Sequence, residues 1–354
     1  MINPSRATVP HRDRRAGRLG AARLVPLALG LAALALGACG SASDKNSLTL
    51  YSGQHEQTTA KLVSVFESET HIKVNVRFGD EASLGNQLLQ EGSNSPADVF
   101  FAENTPVLED LREHGRLAPV DASTLAAVPR SYDAASGRWV GVSARVSALV
   151  YNTDRVKPSE LPSSILELAQ PRFRGKLGYA PSETDFQPLV AAITKVYGTS
   201  AAERWLKGLQ SNARLYPDDE TVVTQVNNGE SLMAPINHYY WYRARAELGA
   251  GGTHSALHLF APGDVGALVD ISGAAILASS SHQAAAQRFL AFLVSARGQE
   301  TIARSSSYEY PLRAGIRPAA GLAPLASVHP ASLTPADLGD GRAALELEQK
   351  LGLL

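Results

Sequence analysis

The side chains that could do chemistry in this chain carry oxygen or nitrogen, with one exception. Cys39 is the only cysteine among 354 residues, so the chain can form neither an internal disulfide nor a metal site built from thiolates. Any metal site must use oxygen and nitrogen ligands. Candidates of these types lie at His55, at Glu103 and in the aromatic cluster at residues 239–242. Taken singly they are weak signals, because aromatic clusters are typical of packing, loop histidines are common, and a glutamate at a helix start serves the helix dipole.

The chain lacks the sequence motifs of common hydrolases and nucleotide-binding enzymes. It contains no Gly-x-Ser-x-Gly, no His-Glu-x-x-His and no glycine-rich phosphate loop ending in Lys. We therefore expect a protein that is not an enzyme. The formal net charge is -1 and 19% of the residues are charged. Because no basic block follows the N-terminal segment, we expect no nucleic-acid partner.

The N-terminal segment has the parts of a bacterial secretion signal. An arginine-rich stretch precedes an apolar run at residues 24–36, and this run is too short to span a bilayer. The run ends in Leu36-Gly37-Ala38-Cys39, which resembles the lipobox at which bacterial lipoproteins are cleaved and acylated. We expect residues 1–38 to be a lipoprotein signal peptide, Cys39 to carry the lipid and residues 39–46 to form a tether. This arrangement would anchor the protein on the outer side of the cytoplasmic membrane.

Short strands and helices alternate after the tether. Residues 48–51 read as a strand, residues 56–69 place apolar side chains on one helical face, and residues 72–78 return as a strand, which predicts a βαβ unit. The same alternation continues and predicts an α/β fold with a mostly parallel sheet covered on both faces. Residues 281–295 predict one long amphipathic helix.

The mature chain is long enough for two domains. We predict an N-domain over residues 47–145 with a return segment at about 275–312, and a C-domain over residues 146–274. Residues 313–354 predict an extended wrap followed by a closing helix.

Five short motifs follow one another along the chain. They are Tyr51-Ser52-Gly53-Gln54-His55, Pro96-Ala97-Asp98-Val99-Phe100-Phe101-Ala102-Glu103, Asn237-His238-Tyr239-Tyr240-Trp241-Tyr242, Pro262-Gly263-Asp264-Val265-Gly266-Ala267-Leu268-Val269 and Glu309-Tyr310-Pro311-Leu312. In this order, from about residue 48 to residue 315, the chain resembles the periplasmic ferric-iron-binding proteins, the bacterial counterparts of transferrin lobes. The resemblance implies a two-domain clamp of the type II, transferrin-lobe kind with a hinge between the domains. It also implies a monomer that binds Fe³⁺ and delivers it to the membrane permease of an ABC importer.

In that family one His, one Glu and two adjacent Tyr bind the metal, and the matching positions here are His55, Glu103, Tyr239 and Tyr240. The chemistry of these donors is consistent with such a role. Fe³⁺ is a hard cation that prefers charged oxygen ligands, and two phenolates with one carboxylate balance its charge when the imidazole is neutral. A free phenol has a pKa near 10, so only a strongly polarising cation would deprotonate both tyrosines at neutral pH.

The predicted elements can bring these donors together. His55 and Glu103 each follow a strand, and open α/β sheets bind ligands at the carboxyl ends of their strands. Neighbouring residues of a strand point to opposite faces, so a Tyr pair can reach one metal only from a helix or a turn. Asn237, as the N-cap of a helix, provides that geometry. We expect the His and Glu to come from one domain and the two Tyr from the other, so that the metal closes the hinge.

The expected anion site departs from the family pattern. Relatives fill the remaining coordination positions with a phosphate-like or carbonate anion, and Asn104 and Asn237 suit such an anion. However, Glu183, Asp185 and Asp219 stand where small or amide residues are common, and carboxylates repel a phosphate. The sequence leaves three alternatives: the anion is absent, an acid ligates the iron, or the loop points elsewhere.

Two further interpretations stay open at this stage. Arg145 is a candidate second-sphere cation that could lower a tyrosine pKa or orient an anion, and it could equally form a structural ion pair. The alternative function is the same clamp fold binding a phosphonate, a polyamine or thiamine for an ABC importer.

The lipid-anchor prediction can be tested by changing the only cysteine. Cys39→Ala should abolish lipid attachment and leave the protein soluble or held by its uncleaved signal, because no other residue of the chain can be acylated in this way. Membrane fractionation with mass determination of the N-terminus measures the effect. Unchanged membrane retention of a Cys39→Ala protein that has lost its signal would contradict the prediction.

Overall fold

The computed structural model describes residues 46–354. The predicted signal peptide, Cys39 and nearly all of the tether lie outside the described residues. Among residues 46–354, no helix is long and apolar enough to cross a membrane.

Ten strands and twelve α-helices form the described part of the chain. The strands are β1 (Ser47–Ser52), β2 (Lys73–Phe78), β3 (Val99–Ala102), β4 (Trp139–Asn152), β5 (Leu177–Tyr179), β6 (Ala213–Leu215), β7 (Met233–Asn237), β8 (Ser255–His258), β9 (Val269–Ile276) and β10 (Tyr310–Pro311). The helices are α1 (Glu56–Thr70), α2 (Glu81–Glu91), α3 (Thr105–Glu113), α4 (Ala122–Leu125), α5 (Phe186–Tyr197), α6 (Thr199–Asn212), α7 (Asp219–Asn227), α8 (His238–Gly252), α9 (Gln283–Leu293), α10 (Ala296–Ala303), α11 (Pro335–Leu338) and α12 (Arg342–Lys350).

The strands join into one sheet in the order β2-β1-β3-β9-β4-β7-β5-β6, with β8 and β10 also paired to β4. The outer strands are parallel, as predicted: β1 pairs with β2 and β3, and β5 pairs with β6 and β7. The centre is antiparallel, because β9 runs against β3 and β4, and β4 runs against β7. The expectation of a mostly parallel sheet is therefore wrong at the centre, where the long strand β4 and the returning strand β9 bring the chain back in the opposite direction.

Strand β4 connects three apolar clusters. Its first half, including Trp139 and Val146, packs in a cluster with β1, β3, α1 and α9. Leu149 belongs to a second cluster with α5, α6 and α12, and Val150 to a third cluster with α7 and α8. Nearly every β4 residue is buried. The surrounding packing therefore holds the side chains of this strand in fixed positions. The division into two domains near residue 145 stays a prediction.

The predicted helix over residues 281–295 is confirmed as α9, and a second helix, α10, follows it directly. Helix α9 ends at Leu293, and α10 begins at Ala296 after a cap in which the Ser295 hydroxyl oxygen accepts a hydrogen bond from the Gly298 N–H at 3.1 Å. A Cβ at Gly298 would collide with the backbone carbonyl of Phe292. The Ser295 cap therefore ends the predicted helix near its expected boundary and starts α10.

Candidate metal centre

His55 lies in the turn between β1 and α1, at the N-cap position of α1. Its backbone N–H donates to the side-chain oxygen of Gln54 at 2.7 Å, and its ring lies 4.9 Å from the Tyr239 ring. The Nε2 atom is 3.5 Å from Glu103 Oε1. Burial lowers the pKa of His55, although the Glu309 carboxylate opposes this effect. A neutral imidazole with an available lone pair is the form that binds metals.

Glu103 lies between the end of β3 and the start of α3. Its Oε1 atom is 2.9 Å from Arg145 Nη1 and accepts a long hydrogen bond of 3.4 Å from the Tyr239 hydroxyl. Burial and the neighbouring Asp185 carboxylate raise the pKa of Glu103, while Arg145 lowers it. The structure thus brings His55, Glu103 and Tyr239 together, as predicted from their positions after strands and at a helix start.

The two tyrosines are the second and third residues of helix α8, which follows β7 directly. Tyr239 is fully buried and Tyr240 is buried, and their ring centroids lie 4.1 Å apart with an interplanar angle of 30°. Asn237 occupies the N-cap position as expected, but its side chain does not cap the helix. Instead its side-chain oxygen accepts a hydrogen bond from the Ser147 hydroxyl at 3.4 Å. Asn237 therefore fastens the helix start to β4.

His238, between Asn237 and the tyrosines, has a structural role. Its Nδ1 atom accepts a hydrogen bond from the Val146 N–H at 3.1 Å, so Nε2 carries the proton and donates to the Tyr308 carbonyl at 2.9 Å. Burial lowers its pKa to about 4. Both ring nitrogens are used, which leaves none for a metal.

Asp185 is the acid of the departing loop that reaches the site. It lies directly before α5 and is buried. Its Oδ2 atom accepts a hydrogen bond from the Tyr239 hydroxyl at 3.0 Å, and its Oδ1 atom is 3.6 Å from Arg145 Nη2. Burial is the largest single effect and opposes ionisation of Asp185, but Arg145 together with hydrogen bonds from Asn237 and Tyr239 holds the pKa below its ordinary value. The sequence left three alternatives, and one of them was that the acidic loop points away from the site. That alternative is wrong for Asp185.

Glu183 and Asp219 lie further out in the same acidic region. Burial, helped by Asp185, raises the pKa of Glu183 to about 7 and raises that of Asp219 well above its ordinary value. Both carboxyls raise the pKa of Tyr240. No hydrogen bond joins either of them to the tyrosine hydroxyls among the described residues.

Asn104, a candidate anion ligand, is already engaged. Its backbone N–H and side-chain amide donate to the buried Glu81 carboxylate at 2.8 and 2.6 Å, and its Oδ1 atom accepts from Arg145 Nη2 at 2.6 Å. These bonds hold Glu81, Asn104 and Arg145 in one network and engage the backbone N–H and both side-chain polar atoms of Asn104.

Arg145 lies at the centre of the acids. Its side chain is fully buried on β4, and besides Glu103 and Asp185 it pairs with Asp270 of β9 at 3.2 Å. Burial raises the pKa of Asp270 to about 7, although Arg145 opposes the shift. The ion pairs agree with both interpretations left open by the sequence, and the second-sphere role of Arg145 stays a prediction; a cation beside Glu103 orients that carboxylate.

Without a metal the two phenols stay protonated. Burial is the largest cause that raises the pKa of Tyr239 and Tyr240 well above the ordinary value, and the Asp185 carboxylate is the next. A cation must therefore displace two phenol protons, which favours a highly charged metal.

Two acids of the site escaped the sequence analysis. Glu309 served only as part of a family motif, yet its Oε1 atom lies 3.7 Å from His55 Nε2. His55, Glu103 and Glu309 offer ligand atoms that all lie within 4.8 Å of one another. Asp270 is the one charged residue of the buried strand β9, and an acid in a buried strand signals a partner cation, so this residue could have been found from the sequence.

Known proteins with similar sequences cover nearly the whole chain. The profile described as bacterial extracellular solute-binding protein matches residues 94–327. The chain belongs to this family of bacterial extracellular solute-binding proteins. This solute-binding protein is 37% identical to the Fe(3+)-binding periplasmic protein of Serratia marcescens, over 91% of this chain and 94% of that one. It is 35% identical to the major ferric iron-binding protein of Neisseria meningitidis serogroup B, over 86% and 93% of the two chains.

Solved structures agree with the sequence relatives. Iron-bound HitA from Pseudomonas aeruginosa superposes on this solute-binding protein with a TM-score of 0.82 and 41% identity, over 86% of this chain and 99% of that one. The Trichodesmium protein in complex with iron and citrate matches with a TM-score of 0.74 and 28% identity, over 87% and 100%. The α/β binding-protein fold and the resemblance to ferric-iron-binding proteins, both expected from the sequence, are confirmed.

Metal binding at this site should depend steeply on pH. The raised pKa values of Tyr239 and Tyr240 mean that both phenols are protonated in the metal-free protein, so binding releases two protons and weakens as pH falls. Loss of two protons corresponds to about a hundredfold change in affinity per pH unit. Competition with citrate between about pH 7 and about pH 5, together with calorimetry in two buffers of different ionisation enthalpy, measures both quantities. A flat affinity across that range, or binding without proton release, would contradict the assignment of phenolate ligands.

Proposed function

We propose that this protein binds Fe³⁺ outside the cytoplasmic membrane through His55, Glu103, Tyr239 and Tyr240 and delivers it to an ABC importer. The observation that carries the proposal is the convergence of an imidazole nitrogen, a carboxylate and a phenol from three separate elements, within hydrogen-bonding or near-bonding distances. Relatives named for ferric iron binding, with 33% to 37% identity over most of the chain, support the same cargo.

The donor set suits Fe³⁺ in hardness and in charge. Two phenolates and the Glu103 carboxylate supply three negative charges, and His55 adds a neutral nitrogen, so the bound ion is neutralised by its own ligands. Hard oxygen donors bind hard cations preferentially. Arg145 beside Glu103 orients the carboxylate while its own charge is balanced by Asp185 and Asp270.

Asp185 takes the place of an external anion in this proposal. Its carboxylate is buried next to the Tyr239 hydroxyl and Arg145, where an anion bound to the iron would need a cation and hydrogen-bond donors. The acids Glu183 and Asp219 nearby disfavour phosphate by repulsion. Asp185 would therefore complete the coordination of the iron or stand beside it as a fixed counter-charge, with no added phosphate or carbonate.

The proposal also includes the membrane anchor and the transport partner. Cys39 would hold a monomeric protein at the membrane through its lipid, and the iron-loaded form would dock on the membrane permease of the importer. Support comes from the lipobox-like sequence and from membership of a solute-binding family.

The phenolate ligands give the proposal an optical test. Iron-loaded protein should be orange to red, because phenolate bound to Fe³⁺ absorbs visible light, and Tyr239→Phe/Tyr240→Phe should remove the band. The matched control is Tyr242→Phe, on the same helix, whose hydroxyl donates to the Gly321 carbonyl outside the site. Visible spectra of ferric-citrate-loaded protein measure the effect. A full band in the double variant, or an equal loss in the control, would show that the ligands are wrong.

The role of Asp185 predicts a difference between buffers. Wild-type protein should load with Fe³⁺ in buffer free of phosphate and carbonate, whereas Asp185→Asn should load at least tenfold more weakly there and recover in part when phosphate is added, because the amide removes the fixed negative charge. The exposed Asp154, changed to Asn, serves as the control. Wild-type protein that takes up iron only after phosphate or carbonate is added would refute the replacement of the anion.

A further inference from the structure

One carboxylate oxygen of Glu309 is buried, lies close to His55 and has no hydrogen-bond partner. The residue is only 1% exposed. Its Oε2 atom accepts a hydrogen bond from the Ser143 hydroxyl at 2.5 Å and a long one from the Gln54 amide at 3.4 Å. Its Oε1 atom is buried and has no hydrogen-bond partner. A buried carboxylate oxygen left unpaired is costly, so its position calls for a cation.

A rigid frame fixes the direction of this carboxylate. Strand β10 pairs with β4 so that Pro311 lies opposite Ser143, which places Glu309 beside the Ser143 hydroxyl. The Gln54 amide also donates to Ser272 at 2.7 Å, and the Ser143 and Ser272 hydroxyl oxygens lie 3.1 Å apart. Because Gln54 in turn accepts from the His55 N–H, the same frame holds the imidazole and the carboxylate.

The distances from His55 Nε2 to the neighbouring carboxylate oxygens suit a cation bound between these atoms better than direct hydrogen bonds. Glu103 Oε1 lies 3.5 Å and Glu309 Oε1 lies 3.7 Å from this nitrogen, which is too long for good hydrogen bonds. Ligand atoms bound to one metal at about 2.1 Å stand roughly 3 to 4 Å apart. Nε2 is itself buried without a hydrogen-bond partner.

We propose that Glu309 is a further metal-binding residue, which forms a preassembled three-donor face with His55 and Glu103. The face joins one imidazole nitrogen and two carboxylates, and its residues adjoin β1, β3 and β10, whose buried residues share the cluster built on the first half of β4. It needs no phenolate, so it also takes divalent cations such as Fe²⁺, Mn²⁺ or Co²⁺. The identity of the cargo rests on the proposed function, but the face itself does not depend on Tyr239 or Tyr240.

The test uses Co²⁺ and a protein that lacks both phenols. Tyr239→Phe/Tyr240→Phe protein should bind one Co²⁺, seen by calorimetry and by the visible absorption of the bound ion. Adding Glu309→Gln, which keeps the shape of the side chain, should weaken that binding at least tenfold. In protein with both tyrosines, Glu309→Gln should weaken ferric binding severalfold in competition with citrate without removing the visible band.

Glu348→Gln is the matched control, since Glu348 is another buried glutamate, 1% exposed, on α12. It should leave Co²⁺ binding and ferric binding unchanged. Folded double-Phe protein that binds no Co²⁺, or binding that Glu309→Gln and Glu348→Gln affect equally, would overturn the three-donor face. If Glu309→Gln does not fold, anomalous diffraction from Co²⁺ in the double-Phe protein decides, and Co²⁺ not bonded to Glu309 would overturn the proposal. Failure here leaves the ferric colour of the wild-type protein untouched, whereas failure of the proposed function removes it.

Discussion

The arrangement of the site depends on the ion pairs that the buried guanidinium of Arg145 forms. A fully buried cation is unstable unless several acceptors meet it, and Arg145 is met by Glu103, Asp185 and Asp270. These acids come from the ends of β3 and β9 and from the start of α5, so one side chain on β4 links separate parts of the fold. Removing this cation would leave a cluster of buried carboxylates to repel one another.

The site contains more acidic side chains than the single cation Arg145 can neutralise. This excess of negative charge determines what the site can bind. Glu309 has an unpartnered oxygen, and burial together with the acids keeps both phenols protonated until a cation displaces their protons. A trivalent ion removes the excess charge and makes the phenolates available in one step. A phosphonate would meet these carboxylates unfavourably, and relatives named for ferric iron favour that ion over a polyamine or thiamine.

Local patterns predicted much of this structure, and interactions distant in sequence account for what they missed. Periodicity placed α1 to within one residue, and the positions of His55 and Glu103 after strands correctly predicted that they meet. The antiparallel centre of the sheet was missed because strand order is not written in local periodicity. Glu309 was missed for a related reason: its partner Gln54 is 255 residues away, so only the folded chain shows that they share a frame.

The acidic loop shows how composition can raise a question that only geometry answers. Glu183, Asp185 and Asp219 were equivalent in the sequence, since each replaced a residue suited to an anion. In the structure Asp185 alone of the three accepts a hydrogen bond from Tyr239 and pairs with Arg145. Asp185 differs from Glu183 and Asp219 because it lies directly before α5, opposite β4.

The central claim is that iron binds between the imidazole of His55, the carboxylate of Glu103 and the two phenolates. Crystals of the iron-loaded protein, measured on both sides of the iron absorption edge, test it most directly. The account predicts one anomalous peak within direct bonding distance of His55 Nε2, a Glu103 oxygen and the oxygens of Tyr239 and Tyr240. A peak elsewhere in the molecule, or one that lacks both tyrosine oxygens, would contradict it.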